Sequence, residues 1–210
     1  MPPPAARPQV WHGRCMDAVD LGPPARHLSD VVRNVRADQL GARTPCDEST
    51  VADLLDHVGG VARGFAAAAA KNLGALTATP PAPDGSRLTD GWREEIPTHL
   101  VALARAWTNP AAWEGMTRVG GVELPGAVAG RIALNEVVLH GWDLARATGQ
   151  PYRQEPDSLE ACKAALSAMY PEDDLARREG IFAPPVAVPP DAPQLDRVVA
   201  FSGRDPTWSA

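Results

Sequence analysis

The sequence is poor in the features that mark secreted, membrane-spanning and nucleic-acid-binding proteins. Its three cysteines, Cys15, Cys46 and Cys162, are odd in number and widely spaced, so they predict neither a disulfide framework nor a CxxC metal site. No apolar run approaches the roughly 20 residues that span a bilayer, and residues 1–6 lack the apolar core of a signal peptide. No basic stripe accompanies the net charge of −6, so we expect no nucleic-acid partner. These absences predict a cytoplasmic protein with reduced thiols and no membrane partner.

Proline is the residue in excess, at 22 of 210 positions, where about 5% is usual. Because proline interrupts an α-helix, the stretches without it outline where long helices can run. The longest are 46–79 and 126–150. With 44% hydrophobic and 22% charged residues, the chain is too apolar to be disordered along its whole length.

Apolar residues at helical spacing predict four main helices and little strand. The predicted helices cover about 24–41, 50–73, 89–107 and 125–149, and shorter ones cover 157–169 and 194–201. Ser49 or Thr50 can cap the second helix, and Gly149 can end the fourth. Gly120-Gly121, between short apolar stretches, predicts a hairpin or turn. The predicted fold class is all-α: a four-helix bundle with a long crossover, a short hairpin or turn and a C-terminal extension of short helices.

This pattern divides the chain into three parts. Residues 1–15, with four prolines in the first eight positions, are predicted to be a disordered extension. Residues 16–155 are predicted to form the helical bundle. Residues 156–210 are predicted to be a helical and proline-rich extension that packs on the bundle.

The predicted fourth helix carries a carboxylate and an imidazole on one face. Glu136 and His140 are four residues apart, so they lie one turn apart, and Asp143 follows three residues later. Their neighbours Ile132 and Val137 are apolar, and an ionised carboxylate on an apolar surface is costly unless it is paired or metal-bound. A buried Glu136–His140 pair is one interpretation, and a salt bridge to an arginine elsewhere is another.

A divalent metal ion is the third interpretation. His57 in the predicted second helix, taken alone, is more often a hydrogen-bonded core histidine than a ligand. Together with Glu136 and His140 it makes two imidazoles and a carboxylate, which suit Zn²⁺ with a position left open and also Ni²⁺ or Fe²⁺. Facing helices of a bundle are where such sites are built.

Two segments also carry a family resemblance. Thr44-Pro45-Cys46 with Val51-Ala52-Asp53-Leu54-Leu55-Asp56-His57-Val58 resembles the second helix of the DinB-like, mycothiol-dependent maleylpyruvate isomerase N-terminal family. Asn135-Glu136-Val137-Val138-Leu139-His140-Gly141-Trp142-Asp143-Leu144-Ala145 resembles its fourth helix. The closing Gly203-Arg204-Asp205-Pro206 resembles an actinobacterial branch described as metal-binding. The resemblance implies a DinB-like bundle, a metal held by His57, Glu136 and His140, and a low-molecular-weight thiol such as mycothiol as cosubstrate.

The function expected from these features is a divalent-metal-binding DinB-like protein. It would be a mycothiol-dependent transferase or isomerase whose partners are a small thiol and a small electrophilic substrate, with zinc as the expected metal. The alternative is a non-enzymatic metal- or ligand-binding bundle with a structural or vestigial metal site. A helical interaction protein with a buried Glu–His pair and no metal is a third hypothesis. A homodimer is compatible with all of them.

Other polar residues are expected to have structural roles. Asp53 and Asp56 are interpreted as solvated helix charges, and His12, His27 and His99 as surface residues. Arg204 is expected to form a salt bridge with Asp205 or another acid, and Asp143 to orient His140 or to contact an arginine or the backbone.

Overall fold

The computed structural model describes residues 18–46 and 49–210. The elements run in the order α1 (Gly22–Asn34), α2 (Val51–Ala69), α3 (Ala75–Ala78), α4 (Trp92–Ala106), α5 (Pro110–Trp113), β1 (Met116–Val119), β2 (Val122–Pro125), α6 (Gly126–Thr148), α7 (Pro156–Met169), α8 (Leu175–Arg178) and α9 (Gln194–Phe201). The predicted all-α class, the hairpin and the short C-terminal helices are confirmed. The predicted extension at 1–15 lies outside the described residues.

The four long helices α1, α2, α4 and α6 form the bundle. Helices α1 and α2 each pack against both α4 and α6. Their inward faces carry buried aliphatic side chains, among them Val32, Leu55, Leu103 and Leu144, whose removal from water stabilises the bundle. Because α2 and α6 are neighbours, the faces that carry the candidate ligands meet across one helix interface. No helix in the described part of the chain is long and apolar enough to cross a membrane.

A capping box determines where α2 begins. The Thr50 hydroxyl oxygen accepts a hydrogen bond from the Asp53 amide at 3.2 Å, and the Asp53 carboxylate accepts one from the Thr50 amide at 2.9 Å. These reciprocal bonds satisfy backbone donors that the first turn leaves free. Of the two predicted caps, Ser49 and Thr50, the structure has Thr50, and the helix ends at Ala69 rather than near Leu73.

Helix α1 is shorter than predicted. It ends at Asn34, and Val35 is extended with a ψ of 127°. A separate 3₁₀ turn follows at Ala37–Gln39. The Gln39 side chain accepts a hydrogen bond from the Arg36 amide at 3.0 Å, which provides the new turn with its own start. Apolar residues keep helical spacing as far as Leu40. The cap between Gln39 and Arg36 nevertheless separates this segment into a helix and a 3₁₀ turn.

Two glycines make the hairpin turn between β1 and β2. Gly120 and Gly121 have φ values of 56° and 83°, and a two-residue turn with both φ values positive matches the twist of the flanking strands. The Gly121 amide donates to the Thr77 carbonyl at 2.8 Å, and the Thr117 hydroxyl donates to the Ala68 carbonyl at 2.7 Å. These bonds fasten the hairpin to α3 and to the end of α2.

The C-terminal helices cover the outer side of α6. Helix α7 packs against α6, and α9 packs against α7, around a second apolar cluster that includes Leu139, Cys162 and Phe201. The buried Arg178 side chain donates to the carbonyl oxygens of Tyr170, Ala183 and Phe201. From these contacts we propose that 156–210 is an extension of the bundle rather than a separate domain.

Candidate metal centre

His57, Glu136 and His140 meet at the interface of α2 and α6. Glu136 Oε2 lies 3.1 Å from His140 Nε2 and 3.5 Å from His57 Nε2. The two imidazole rings stand edge to face with centroids 5.0 Å apart. The side chains of His57, Glu136 and His140 keep 19%, 29% and 14% of their surface exposed. The three residues singled out in the sequence are therefore brought together, partly shielded from water but still accessible.

The second nitrogen of His57 is held by the backbone. Its Nδ1 lies 2.8 Å from the Pro81 carbonyl oxygen. Since a carbonyl can only accept, Nδ1 carries the proton and Nε2 of the neutral ring keeps its lone pair. That lone pair is on the nitrogen that approaches Glu136, which is the tautomer a metal ligand needs.

Two carboxylates of α2 hold the loop that contains Pro81. Asp53 Oδ1 accepts a hydrogen bond from the Gly85 amide at 2.7 Å, and Asp56 Oδ2 accepts one from the Asp84 amide at 3.2 Å. Asp56 also pairs with the exposed Arg87 at 2.6 Å. The Thr50 hydroxyl, with the Gly85 and Thr50 amides, lowers the pKa of Asp53. The interpretation of these two residues as solvated charges is wrong, because both bind the loop next to His57.

The second nitrogen of His140 is held by a buried carboxylate. Asp143, one turn along α6, accepts from His140 Nδ1 at 3.0 Å through Oδ2, and its side chain has 0% exposure. Arg204 donates to both Asp143 oxygens, from Nε at 2.8 Å and from Nη2 at 2.9 Å. The Cys46 thiol donates to Oδ2 at 3.0 Å. Both roles expected of Asp143 occur together, and Asp143 is the acid that Arg204 binds.

The electrostatics of the cluster favour a cation. Burial would raise the pKa of Glu136, but His140 and His57 outweigh it and hold that pKa far below its ordinary value. Burial would likewise raise the pKa of Asp143, and the Arg204 charge with the His140 hydrogen bond lowers it instead. Burial would lower the pKa of His140, but its contacts with Asp143, Cys46 and Glu136 raise it well above the usual value. Both carboxylates are therefore ionised beside the imidazoles.

Three potential ligand atoms converge at the centre of the cluster. Glu136 Oε2 is buried, yet it makes no hydrogen bond within the described residues. It faces the Nε2 atoms of His57 and His140, and the three ligand atoms all lie within 4.8 Å of one another. A carboxylate oxygen that faces two imidazole Nε2 atoms fits a divalent cation, which would bind all three atoms and displace the extra proton that His140 holds in the metal-free cluster.

A second group of potential ligands fits a cation less well. Cys46, His140 and Asp143 also lie within reach of one another. The Arg204 guanidinium already occupies both oxygens of Asp143, so a metal there would face a fixed positive charge. The remaining described histidines lie elsewhere. His27 contacts Gln154 and Glu155, and His99 lines a cavity between α2 and α4.

Besides the roles of Asp53 and Asp56, sequence reasoning missed Pro81 and Cys46 as contributors to this centre. Pro81 acts through its backbone carbonyl, which leaves no side-chain signal in the sequence. Cys46 was interpreted as an ordinary thiol, and only the packing of its loop against α6 brings its sulfur to Asp143. Asp143 did have a signal, since it lies three residues after His140 on the same helix.

Known proteins match the chain over most of its length. Residues 21–145 match the family model described as the mycothiol maleylpyruvate isomerase N-terminal domain. Two uncharacterized proteins of Mycobacterium tuberculosis, MT0763 and Rv0738, are each 34% identical to the chain over 203 residues. These alignments cover 94% of the chain and 97% of each relative.

Two solved structures share the fold. The mycothiol-dependent maleylpyruvate isomerase matches with a TM-score of 0.51 and 20% identity, and a mutant of it matches with 0.53 and 21%. Each match covers 69% of this chain. The chain spans 63% of the length of each of these structures, so the match concerns the fold of that part.

Proposed function

The chain belongs to the mycothiol maleylpyruvate isomerase N-terminal domain family, and on that basis we propose that it is a metal-dependent enzyme that uses a small thiol. In this proposal His57, Glu136 and His140 bind one divalent metal ion. The cosubstrate is mycothiol or a similar low-molecular-weight thiol, and the second substrate is a small electrophile. The reaction is thiol transfer or a thiol-assisted isomerisation.

The observation that carries the proposal is the convergence of three potential ligand atoms, from His57, Glu136 and His140, on one point. Glu136 Oε2 has two imidazole Nε2 atoms within 3.5 Å and no hydrogen bond of its own in the described part of the chain. Each imidazole has its Nδ1 fixed, one by the Pro81 carbonyl and one by the Asp143 carboxylate. Ligating histidines in metalloproteins are held in this way.

The donor set supports zinc as the expected metal. Two neutral imidazoles and one carboxylate are a usual three-residue set for catalytic Zn²⁺, which keeps a further position for water or substrate. The same set also accepts Fe²⁺ or Ni²⁺. A bound metal would supply Lewis acidity, since a thiol that coordinates to it loses its proton. The Glu136 charge offsets part of the metal charge, and the partial exposure of all three side chains leaves room for a small ligand.

Metal analysis of protein purified without a histidine tag is the first test. We expect close to one equivalent of a divalent metal in the wild-type chain and strong depletion in His57→Ala. His99→Ala is the matched control, because it removes the same side chain from α4, away from the cluster. Substoichiometric metal that is unchanged in His57→Ala would overturn the proposal.

Thiol binding is the second test, and it needs no knowledge of the electrophile. Cobalt-substituted protein should acquire a sulfur-to-cobalt charge-transfer band when mycothiol is added, and Glu136→Ala should not. Incubation with mycothiol and a panel of electrophiles, maleylpyruvate among them, should then give product above the level of Glu136→Ala. Metal binding without a thiol band or a product would favour the non-enzymatic binding protein instead.

A further inference from the structure

We propose that Arg204 is a positioning residue for the metal centre: it fixes the buried carboxylate of Asp143, which in turn holds His140. This inference rests on the proposed function, because it concerns the ligand set named there. It extends the centre to the segment after α9, which lies outside the residues 21–145 that match the family model.

Arg204 determines the plane and the direction of the Asp143 carboxylate. Its Nε binds Oδ1 at 2.8 Å and its Nη2 binds Oδ2 at 2.9 Å. Such a two-point contact between planar groups restricts rotation, which a single-point contact does not. Oδ2 is thereby left in position to accept from His140 Nδ1 at 3.0 Å. The orientation of the His140 ring, and so of Nε2, depends on both contacts.

The Asp143 carboxylate depends on Arg204 for its charge compensation. The Asp143 side chain is fully buried and Arg204 retains 13% exposure, so neither is well solvated. The other donors to Asp143 are a thiol and an imidazole, and the imidazole gives up its positive charge when a metal binds Nε2. A buried carboxylate that loses its cationic partner is strongly unfavourable. Loss of Arg204 should therefore destabilise the ionised Asp143 carboxylate more than loss of the thiol or of the imidazole donor.

Backbone contacts hold the segment after α9 in the position that places Arg204 beside Asp143. Gly203 has a φ of 84°, and a Cβ added there would lie 2.5 Å from the Ala183 carbonyl oxygen. The Arg204 amide donates to the Val199 carbonyl at 3.3 Å. Three residues away on α6 from Asp143, Arg146 binds the Pro206 carbonyl. The segment is thus fastened on both sides of Arg204.

Arg204 lines a cavity together with Cys46 and His140, but its guanidinium group is already bound to other residues of the protein. Its Nε and Nη2 bind Asp143, and its Nη1 donates to the Ser202 hydroxyl at 3.1 Å. Every nitrogen of the guanidinium is therefore engaged within the protein. The geometry supports action through Asp143 and His140 rather than contact with a substrate.

Three variants separate the positioning role from general loosening of the C-terminal segment. Arg204→Ala removes the two-point contact, and Arg204→Lys keeps the charge but offers a single point. Arg146→Ala is the matched control, because it releases the same segment at Pro206 without touching Asp143. Two quantities would be measured on the full chain: zinc affinity by competition with a chromophoric chelator, and the downfield Nδ1 proton resonance of His140 in the metal-free protein.

We expect zinc affinity to fall roughly 10–100-fold in Arg204→Ala, as is typical when an outer partner of a metal ligand is removed. Arg204→Lys should lie between Arg204→Ala and the wild type, and Arg146→Ala should match the wild type. The His140 Nδ1 proton resonance should be lost or strongly shifted in Arg204→Ala alone. Wild-type affinity in both Arg204 variants, or an equal loss in Arg146→Ala, would overturn the inference.

The two readouts distinguish failure of the inference from failure of the proposed function. If the wild-type chain binds no zinc, the proposed function fails, and an unchanged resonance in Arg204→Ala overturns the positioning role as well. If Arg204→Ala does not fold, Arg204→Lys decides, and wild-type affinity and resonance in that variant count against the inference.

Discussion

The two histidines of the candidate metal centre are held by opposite means. His57 is oriented by a neutral backbone carbonyl in a partly exposed loop, and His140 by an ionised carboxylate that is fully buried. A carboxylate acceptor makes an imidazole a stronger donor to a metal than a carbonyl does. The carboxylate, however, needs Arg204 from a distant part of the chain. The His140 half therefore gains basicity at a cost in buried charge, while the His57 half relies on how a loop is fastened.

Among substitutions in the two halves, we expect one at Asp143 to cause the largest loss in the free energy of unfolding. In Asp143→Asn the Arg204 guanidinium stays buried without a counter-charge, so we expect a loss of about 3–5 kcal/mol in the free energy of unfolding. Urea denaturation followed by circular dichroism measures this loss. No comparable single side chain exists on the His57 side, because its acceptor is a main-chain oxygen.

A double variant shows whether stability and ligand orientation are separable in the His140 half. Asp143→Leu with Arg204→Met replaces both charges by apolar groups, which often restores stability. The acceptor for His140 Nδ1 is still missing, so zinc affinity should stay low although the fold recovers. Full recovery of zinc affinity in the double variant would show that Asp143 does not orient His140.

The His57 half can be disturbed through its loop, with an intermediate effect. A Cβ added at Gly60 would lie 2.7 Å from Pro81 Cβ, so Gly60→Ala should displace the carbonyl that binds His57. We expect zinc affinity to fall by about 10-fold, at the lower end for a lost outer partner. Chelator competition measures the change.

Gly59→Ala is the control for this effect. It lies on the same helix and has the same intrinsic helix gain of up to about 1 kcal/mol. Its added Cβ would meet only the Ile96 side chain, at 3.4 Å. Equal zinc affinity in the two alanine variants would show that the position of Pro81 does not matter for His57.

The smallest effect is expected at the rim of the loop. Arg87→Ala removes an exposed side chain that pairs with Asp56 and Asp84 and donates to the Ala82 carbonyl. Exposed ion pairs contribute only about 0–1 kcal/mol each. Asp56 keeps its bond to the Asp84 amide, so zinc affinity should change by less than in Gly60→Ala. Arg118→Ala, which breaks the exposed pair with Glu123 on the hairpin, is the control. The distinction between the two halves would be contradicted if Arg87→Ala lowered the free energy of unfolding as much as Asp143→Asn does.

The fold was largely predictable because its signals are local. Proline-free stretches, apolar periodicity, the Thr50 cap and the Gly149 end are all read within one helix, and the helices α2 and α6 follow them closely. The predicted end of α1 was wrong for a related reason. Apolar periodicity does not show a side-chain cap, such as the one that Gln39 provides for the 3₁₀ turn. The confirmed family and fold rest on the same helices.

The candidate site was predictable only where its residues share a helix or a motif. Glu136, His140 and Asp143 lie on one face of α6 and were found together. Pro81 and Arg204 reach the centre through the tertiary structure, from loops whose sequence carries no periodic signal. The role of Asp53 and Asp56 was missed for the same reason, because a carboxylate that binds a loop amide looks like any exposed acid on a helix.

The carbonyl of Pro81 has a consequence for how this centre can evolve. Every residue type offers the same carbonyl oxygen, so a substitution at position 81 removes the hydrogen bond to His57 only if it shifts the backbone of the loop. In the His57 half, this hydrogen bond can therefore be lost only through insertions, deletions or substitutions that shift the loop. The His140 half depends on two side chains, and a substitution at Asp143 or Arg204 alone would leave a buried charge without its partner. Among relatives, we expect the loop to vary in residue identity but not in length, and Asp143 and Arg204 to change only as a pair.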